Sequence, residues 1–263
     1  MHTQPQCWVF FNKKEESMAS PRFKRILLKV GGESMLGDRP YGIDPQSALA
    51  VAEKIKEIYT RHIEIAVVIG GGNIFRGIAG SKNGIDRATA DYMGMMATVM
   101  NGLALQDALE KVGVPTRLQS ALQMPAVAES FVRRKAIRHM EKGRVVILGA
   151  GTGVPYVTID TGASLHALEL KCDVLMKATK VDGIYDKDPA QHDDAKRYKT
   201  ISFKDAIEMD GVQVMDTAAL AMSKDNNMPV MVFELFNGDN LINAVEGEDI
   251  GTYVSNEVST EMA

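Results

Sequence analysis

The sequence predicts an α/β fold in which helices cover both faces of a mostly parallel sheet, and three observations support this. Short runs of β-branched residues alternate along the chain with longer amphipathic segments of helical period. The short runs are almost continuously apolar, as expected for strands that are buried on both faces. The chain contains no internal repeat, low-complexity tract or obvious linker. A single α/β sandwich is therefore expected.

The alternation gives the positions of the elements. Strands are expected at residues 25–30, 63–69, 116–120, 144–148, 173–177 and 229–235. Helices are expected at residues 45–61, 86–112, 126–142, 161–171, 203–209 and 217–226. In a sheet of this kind, ligands bind at the edge formed by the carboxyl ends of the parallel strands.

The composition limits the classes of partner. Of the 263 residues, 45% are hydrophobic and 24% are charged, and a formal net charge of −4 argues against a broad nucleic-acid-binding or membrane-binding face. Cys7 and Cys172 are too few for a disulfide framework or a structural zinc site, and they suggest a reducing compartment. No apolar run approaches the ~20 residues of a membrane span. A cytoplasmic protein without nucleic-acid or membrane partners is expected.

The two ends of the chain are expected to lie outside the folded domain. Residues 1–20 contain no apolar run long enough for a signal-peptide core and are expected to form a disordered extension. Met18 is a candidate for the natural start, because the segment after it leads directly into the first strand. One domain is expected over residues 21–257, followed by a flexible tail over 258–263.

Glycines follow three of the predicted strands. The first strand is followed by KVGG, the second by GGGN and the fourth by GAGTG. Each cluster alone fits a tight turn as well as a phosphate loop, but three at one sheet edge favour a phosphate site. The Walker motif fails because Ile78 stands where lysine is required, and the dinucleotide fingerprint fails because Val154 stands at its third glycine.

Four charged residues near these glycines fit phosphoryl transfer. Lys29 interrupts an apolar strand, where an ammonium is costly to bury unless it meets an anion. Arg76 offers a donor fork suited to phosphate oxygens. Asp160 and Asp216 each open a predicted helix, so helix capping is the alternative to a role in organising Mg²⁺ or the lysine.

Further features allow two interpretations each. The loop at residues 176–189, which contains Tyr185, is either a surface turn or a pocket for a nucleotide base. Asp91 either complements a helix dipole or accepts ribose hydroxyls. Met93, Met96 and Met100 are interpreted as core packing, with a subunit interface as the alternative.

The motifs together resemble the bacterial uridylate (UMP) kinases, a branch of the amino acid kinase superfamily. The segments that carry the resemblance are KRILLKVGGES, VVIGGGNIFRG, DYMGMMATVMNGLALQDAL, GTGVPY, KATKVDGIYDKDP and VMDTAA. They extend from residue 24 to about residue 254, and the run from Asp91 to Leu109 is specific to the UMP kinase branch.

The resemblance implies a fold and an activity. The fold is a three-layer αβα sandwich with a central, mainly parallel sheet of about eight strands, the amino acid kinase fold. The activity is transfer of the γ-phosphoryl group of MgATP to UMP, giving UDP and ADP in de novo pyrimidine nucleotide biosynthesis. The N-terminal half would bind UMP and the C-terminal half ATP. Mg²⁺ would arrive with ATP, and no protein ligands for it are assigned. A homohexamer with GTP as activator and UTP as inhibitor is also implied.

The resemblance further implies roles for individual residues. The catalytic residues would be Lys29, Arg76, Asp160 and Asp216. ATP would be bound by Lys29, Val30, Gly31, Gly32, Gly72, Arg76, Thr179, Tyr185 and Asp188. UMP would be bound by Gly71, Asp91, Thr152, Gly153, Val154, Pro155, Tyr156, Val157, Thr158 and Ile159. The GTP region would be Gly37, Asp38, Arg39, Pro40, Tyr41 and Gly42.

The uridylate loop departs from the family pattern, which is often GTGNPFFTTD where this chain has GTGVPYVTID. Val154 cannot make the hydrogen bonds of an asparagine, so selection of UMP over CMP is left open. Gly31 also replaces the commoner serine. Two other functions compete: another kinase of the superfamily, acting on a carboxylate, a carbamate or isopentenyl phosphate, and a non-catalytic nucleotide sensor or storage assembly. The presence of Lys29, Arg76 and Asp160 counts against the sensor.

Overall fold

The apolar strands form the middle of a ten-stranded sheet in the computed structural model, which describes residues 21–76, 84–209 and 215–263. The predicted extension at residues 1–20 lies outside the described part. The strands are β1 Arg25–Val30, β2 Glu64–Ile69, β3 Thr116–Ser120, β4 Glu129–Ser130, β5 Val145–Gly149, β6 Val174–Thr179, β7 Tyr198–Ser202, β8 Val230–Glu234, β9 Thr252–Ser255 and β10 Glu261–Met262.

Seven α-helices are described. They are α1 Pro45–Tyr59, α2 Arg87–Lys111, α3 Arg133–Glu141, α4 Ile159–Glu169, α5 Phe203–Glu208, α6 Thr217–Asp225 and α7 Asn240–Glu246. A 3₁₀ turn, Gly32–Met35, follows β1. No helix within the described residues is long and apolar enough to cross a membrane.

The sheet order is β10-β7-β9-β8-β6-β1-β2-β5-β3-β4. The pairs β8/β9 and β10/β7 are antiparallel, and the other neighbouring strands are parallel. The two outermost strands, β4 and β10, have two residues each, so the eight longer strands match the expected number. β10 lies within residues 258–263, the range expected to form a tail.

The hydrophobic core has two parts, one on each face of the sheet. Alternate residues of β1 separate them: Ile26, Leu28 and Val30 belong to one part, while Leu27 belongs to the other. Helices α1, α2 and α7 cover the first face, and α3, α4, α5 and α6 cover the second. The predicted αβα sandwich is confirmed.

The helix expected at residues 126–142 is wrong over its first half. Helix α3 begins only at Arg133, because the backbone of residues 129–131 is used along the edge of the sheet. There β4 pairs with β3, and the amide of Phe131 donates to the oxygen of Ser120 (2.9 Å). Strands β7 and β9 and helix α7 were not predicted.

The parallel strands β1, β2, β5, β6 and β8 end at one edge of the sheet, as expected. The glycine clusters that follow β1, β2 and β5 therefore meet there, together with the loop after β6.

Candidate active site

A buried carboxylate between two lysines forms the centre of this edge. Asp160 Oδ1 lies 3.1 Å from Lys29 Nζ, and Asp160 Oδ2 lies 2.8 Å from Lys177 Nζ. The three side chains are only 12 to 15% exposed. Lys29 and Asp160 were predicted from the sequence, whereas Lys177 was missed.

The local structure explains why these charges meet. Lys29 in β1 and Lys177 in β6 are register partners, so both side chains project on the same face of the sheet. Helix α4 covers that face. Thr158 is its N-cap and accepts from the amide of Thr161 (3.1 Å), which places Asp160 in the first turn. The prediction that Asp160 begins the helix holds, but Thr158 performs the capping.

The electrostatics keep Asp160 ionised. Burial by itself raises the pKa of this carboxyl, but the charges of Lys29 and Lys177 outweigh burial and hold the pKa below its usual value. The pKa of Lys177 is lowered, chiefly because the ammonium is buried, although Asp160 opposes that shift. Lys29, Asp160 and Lys177 together form a charged cluster that carries more positive than negative charge.

Asp216 lies beside this cluster and has two roles. Its carboxylate caps α6 by accepting from the amide of Ala219 (3.1 Å). The same carboxylate accepts from the hydroxyl of Thr161 (2.9 Å) and from the hydroxyl of Thr158. The capping role and the predicted place in the site are therefore compatible. Asp216 ties α6 to the start of α4.

A cavity of about 580 Å³ lies beside the start of α4, next to Asp160. Its walls come from the turn after β2, the start of α2 and the loop before α4. It is lined by Gly71, Phe75, Arg76, Arg87, Asp91, Gly94, Met95, Thr98, Gly151, Thr152, Val157, Thr158 and Ile159. Six of the residues predicted for UMP line this cavity, together with Arg76. Gly153, Val154, Pro155 and Tyr156 do not line it, and the side chains of Val154 and Tyr156 are exposed to solvent.

Asp91 connects two walls of this cavity. It accepts two hydrogen bonds from Arg87 Nε (2.9 Å each) and one from the backbone amide of Tyr156 (2.8 Å). The Arg87 guanidinium lies 5.3 Å from the centre of the Tyr156 ring. The predicted Asp91 thus holds the loop before α4, and Arg87, which was not predicted, is its partner.

A second cavity, of about 330 Å³, lies beside β6. It is lined by Lys177, Thr179, Val181, Gly183, Ile184, Tyr185, Lys187, Asp188, Pro189 and Val232. The three residues predicted for the adenine nucleotide, Thr179, Tyr185 and Asp188, are brought together here. Lys177 lines this cavity and pairs with Asp160, whose neighbour Ile159 lines the first cavity. The Asp160 cluster is therefore adjacent to both cavities.

Two of the glycines predicted to contact the nucleotides, Gly32 and Gly71, are also required for packing within the protein. A Cβ on Gly32 would lie 2.7 Å from the Gly70 oxygen, and one on Gly71 would lie 2.8 Å from the Gly94 oxygen. At both positions the missing side chain allows close backbone packing within the protein. Gly72 differs, because it is exposed and a Cβ there would meet only Arg76, at 3.5 Å, so packing does not explain this glycine.

The region predicted for GTP, residues 37–42, lines neither of these two cavities. Its last residue, Gly42, bonds to Asn73 of the GGGN turn through both its amide and its oxygen (2.8 Å each). Asn73 in turn exchanges side-chain hydrogen bonds with the buried Asn101 of α2 (3.0 and 2.7 Å). The region is thus connected to the site through buried amides, which sequence reasoning missed.

Two of the three methionines of α2 that were interpreted as core packing lie on the surface. Met96 and Met100 are exposed, as are Tyr92 and Leu103 on the same side of the helix. The expectation of core packing is therefore wrong for these two methionines, whereas the neighbouring Met95 is largely buried. The four exposed side chains form an apolar stripe on the surface of the single chain.

The described residues contain no group of three or more acids, histidines or cysteines arranged to hold a metal ion. The carboxylates at the site are already engaged, Asp160 with two lysines and Asp216 with two threonines. This donor set fits a Mg²⁺ ion whose ligands come mainly from a bound nucleotide, since Mg²⁺ commonly takes substrate phosphates and few protein groups.

Comparison with known proteins identifies the family of the chain. A sequence model of the amino acid kinase family matches residues 24–234. A UMP kinase from Bacillus anthracis is 33% identical, with a TM-score of 0.88 over 92% of this chain and 99% of that one. A UMP kinase from Ureaplasma parvum is 34% identical, with a TM-score of 0.83 over 89% and 99%. A uridylate kinase from Archaeoglobus fulgidus is 27% identical, with a TM-score of 0.67 over 88% and 99%.

Proposed function

The chain belongs to the amino acid kinase family, and we propose that it is a UMP kinase, which transfers the γ-phosphoryl group of MgATP to UMP and yields UDP and ADP. One observation carries the proposal: two cavities adjoin the largely buried Lys29–Asp160–Lys177 group, one lined by Lys177 and the other by Thr158 and Ile159, next to Asp160. A phosphoryl group passing from one nucleotide to another needs two such sites that meet at concentrated positive charge. The product would enter pyrimidine nucleotide biosynthesis.

The larger cavity would bind UMP and the smaller one ATP. Asp91 and Thr152 offer acceptors and a hydroxyl to the ribose and phosphate of UMP in the larger cavity. In the smaller cavity, Tyr185 offers an aromatic face and Thr179 a hydroxyl to the adenosine part of ATP. Arg76 lines the UMP cavity, from which its guanidinium can reach the transferred group.

The chain's own residues stabilise the transition state by charge and position. The phosphoryl group that passes between the nucleotides carries its charge on its non-bridging oxygens. Lys29 and Lys177 are held by one carboxylate, so their ammonium groups are fixed before substrate binds. An ammonium has three donors, and the contact of Lys29 with Asp160 leaves donors for phosphate oxygens. Mg²⁺, when bound with ATP, would supply further neutralisation of the phosphate charge.

We also propose an oligomer of identical subunits, a homohexamer as the family resemblance implies. The exposed stripe of Tyr92, Met96, Met100 and Leu103 supports a subunit contact, because exposed apolar surfaces commonly mark interfaces. Activation by GTP, inhibition by UTP and a cytoplasmic location belong to the same proposal. The bonds between Gly42 and Asn73 support an influence of residues 37–42 on the site.

The test is ADP release by the purified chain with MgATP and, in turn, UMP, dUMP, CMP, AMP and acceptors of other family members. We expect release with UMP, and release with CMP as well would show that the loop containing Val154 selects the base weakly. Lys29→Ala should abolish release, while Lys24→Ala, an exposed lysine beside the same strand, should not. Release with a non-nucleotide acceptor alone, or nucleotide binding without turnover, would overturn the proposal.

A further inference from the structure

Arg87 lines the larger cavity, and its contacts with the protein use only part of its guanidinium. It begins α2 directly after the N-cap Asp86, and Asp91 follows one helical turn later. Its Nε donates to both oxygens of Asp91, at 2.9 Å each. No hydrogen bond joins its terminal nitrogens, Nη1 and Nη2, to a residue that the structure describes. These two nitrogens carry four N–H donors, which can serve a ligand in the cavity.

The guanidinium of Arg87 is held in place by two neighbours. Its Nε meets the Asp91 carboxylate, and its central carbon lies over the Tyr156 ring, 5.3 Å from the ring centre. The amide of Tyr156 donates in turn to Asp91 Oδ2 (2.8 Å), so the three residues contact one another. A guanidinium that is fixed in this way loses little freedom when it binds a ligand, and each bond to the ligand then contributes more to affinity.

Asp91 keeps capacity for a further donor. An ionised carboxylate can accept about four hydrogen bonds. Oδ2 accepts from Arg87 Nε and from the amide of Tyr156, whereas Oδ1 accepts, among the described residues, from Arg87 Nε alone. Because Asp91 lines the cavity, a hydroxyl of a bound ligand can fill this capacity. Arg87 and Asp91 therefore present donors and an acceptor side by side.

The two arginines that line the cavity, Arg76 and Arg87, differ in their partners. Asp91 is the one acid among the described residues that line this cavity, and it is paired with Arg87. Arg76 has no ion pair with a described residue and donates to the backbone oxygen of Gly72 (3.2 Å). The negative charge of Asp91 repels a phosphate, so Arg76 is the better phosphate ligand. The Arg87–Asp91 pair is better suited to an uncharged polar group of the ligand.

We propose that Arg87 is a specificity-determining residue, which together with Asp91 binds the ribose hydroxyls of UMP and selects ribonucleotides over deoxyribonucleotides. This rests on the proposed function, in which the larger cavity binds UMP. A hydroxyl both donates and accepts, so a ribose hydroxyl can donate to Asp91 Oδ1 and accept from a terminal nitrogen of Arg87. The two neighbouring hydroxyls of ribose match the adjacent acceptor and donors of this pair.

A nucleotide that lacks one of these hydroxyls should bind more weakly. It leaves a charged group of the Arg87–Asp91 pair without its partner, and a site built to bind a hydroxyl discriminates strongly against an analogue that lacks it. The Asp91 side chain is only 14% exposed, so little water is available to replace the missing hydroxyl. The loss of one hydrogen bond to a charged group corresponds to roughly 10- to 100-fold in affinity.

Equilibrium binding of UMP, dUMP and 3′-deoxy-UMP to the full chain tests this proposal. The wild type should bind at least one deoxy analogue roughly 10- to 100-fold more weakly than UMP. Arg87→Met removes the terminal nitrogens and should abolish most of this preference by weakening the binding of UMP, while ATP affinity is retained. Arg87→Lys keeps the positive charge and tests the same contact should Arg87→Met fail to fold. It should not restore the preference, because one ammonium does not reproduce the guanidinium fork.

Arg138→Met is the matched control, because Arg138 also pairs with an acid one helical turn away, Glu141, but lines neither cavity. It should keep the wild-type preference. The proposal is overturned if the wild type binds both deoxy analogues as tightly as UMP, or if Arg87→Met or Arg87→Lys keeps the full preference. Equal weakening of all three nucleotides in Arg87→Met also overturns it, since Arg87 would then bind the phosphate. Binding of UMP without its phosphorylation would instead refute the proposed function, and the ribose preference would still be measured.

Discussion

Removing the negative charge of Asp160 while keeping its shape should destabilise the protein and stop turnover. Asp160→Asn leaves Lys29 and Lys177 facing a neutral amide, with the side chains of both lysines 12 to 15% exposed. Two nearly buried ammonium groups would then repel each other without a counter-charge. Because the same carboxylate fixes both lysines, their alignment with the phosphates is also lost.

The size of the expected stability loss follows from the burial of the two ion pairs of Asp160. Removing one partner of a buried ion pair costs about 3–5 kcal/mol, since the remaining charge is left uncompensated. Release of the Lys177 proton limits this cost, because burial already lowers the pKa of that ammonium. We therefore expect the free energy of unfolding to fall by about 3 kcal/mol near pH 7, at the lower end of that range. For a chain of this size that corresponds to a melting temperature lower by roughly 6–12 °C.

Urea unfolding and thermal melting at one protein concentration measure this loss, and ADP release measures turnover. Asp249→Asn is the matched control, because its ion pair with Lys199 is largely exposed, so its loss should change the free energy of unfolding far less. Equal stability losses in the two variants would refute the reasoning. So would normal turnover in Asp160→Asn.

The pH dependence gives a second check on Asp160. Its folded pKa lies below the usual value of 3.8, so its contribution to stability is present above that pH and is lost as pH falls through the folded pKa. The stability difference between wild type and Asp160→Asn should therefore shrink in acid, below about pH 4. It should also shrink as pH rises toward 10, because Lys177 becomes neutral in the variant. A difference independent of pH would exclude a charge effect.

Other side chains allow shorter predictions. Lys177→Met should lower kcat by about 10²-fold or more while ATP still binds, and near-normal turnover would remove this lysine from the mechanism. Arg76→Ala should lower kcat with a stability change within about 0.5 kcal/mol, because Arg76 is exposed and donates a hydrogen bond to the backbone oxygen of Gly72 only four residues away, and a large melting shift would contradict this. Asp91→Asn should raise KM for UMP more than for ATP, and equal effects would place Asp91 elsewhere. Burial raises the pKa of Cys172 to about 12, so peptide mapping should find this thiol unmodified by alkylating reagents at about pH 8, whereas rapid labelling in the native state would contradict its burial.

The fold was predictable where the sequence pattern reflects burial on two faces. Strands such as β1, with Ile26, Leu27 and Leu28 all fully buried, leave no polar alternation, and helices of regular period separate them. Strands β7 and β9 lie toward one edge of the sheet and contain partly exposed residues, so their pattern is weak. The start of α3 depends on whether residues 129–131 pair with the edge of the sheet. That pairing involves β3, so the sequence of residues 126–142 alone does not predict it.

Site residues could be predicted from the sequence where a charged residue interrupts an otherwise apolar strand. Lys29 was found because it interrupts an apolar strand, and the same signal, a lysine within VLMKAT, marks Lys177 and was overlooked. Which carboxylate meets these lysines depends on the β1/β6 register and on the position of α4, which are properties of the fold. Arg87 and the Asn73–Asn101 pair were missed for the same reason, because their contacts join distant segments.

The charge balance of the site connects stability to function. The chain as a whole is acidic, with a net charge of −4, yet Lys29, Lys177 and Arg76 gather at one edge of the sheet. Asp160 neutralises only part of this charge, and burial lowers the pKa of Lys177, so gathering these cations carries an electrostatic cost. Nucleotide phosphates would complete the neutralisation. Because a ligand that binds only the folded state stabilises it, relief of this cost would add to the binding free energy of anionic substrates.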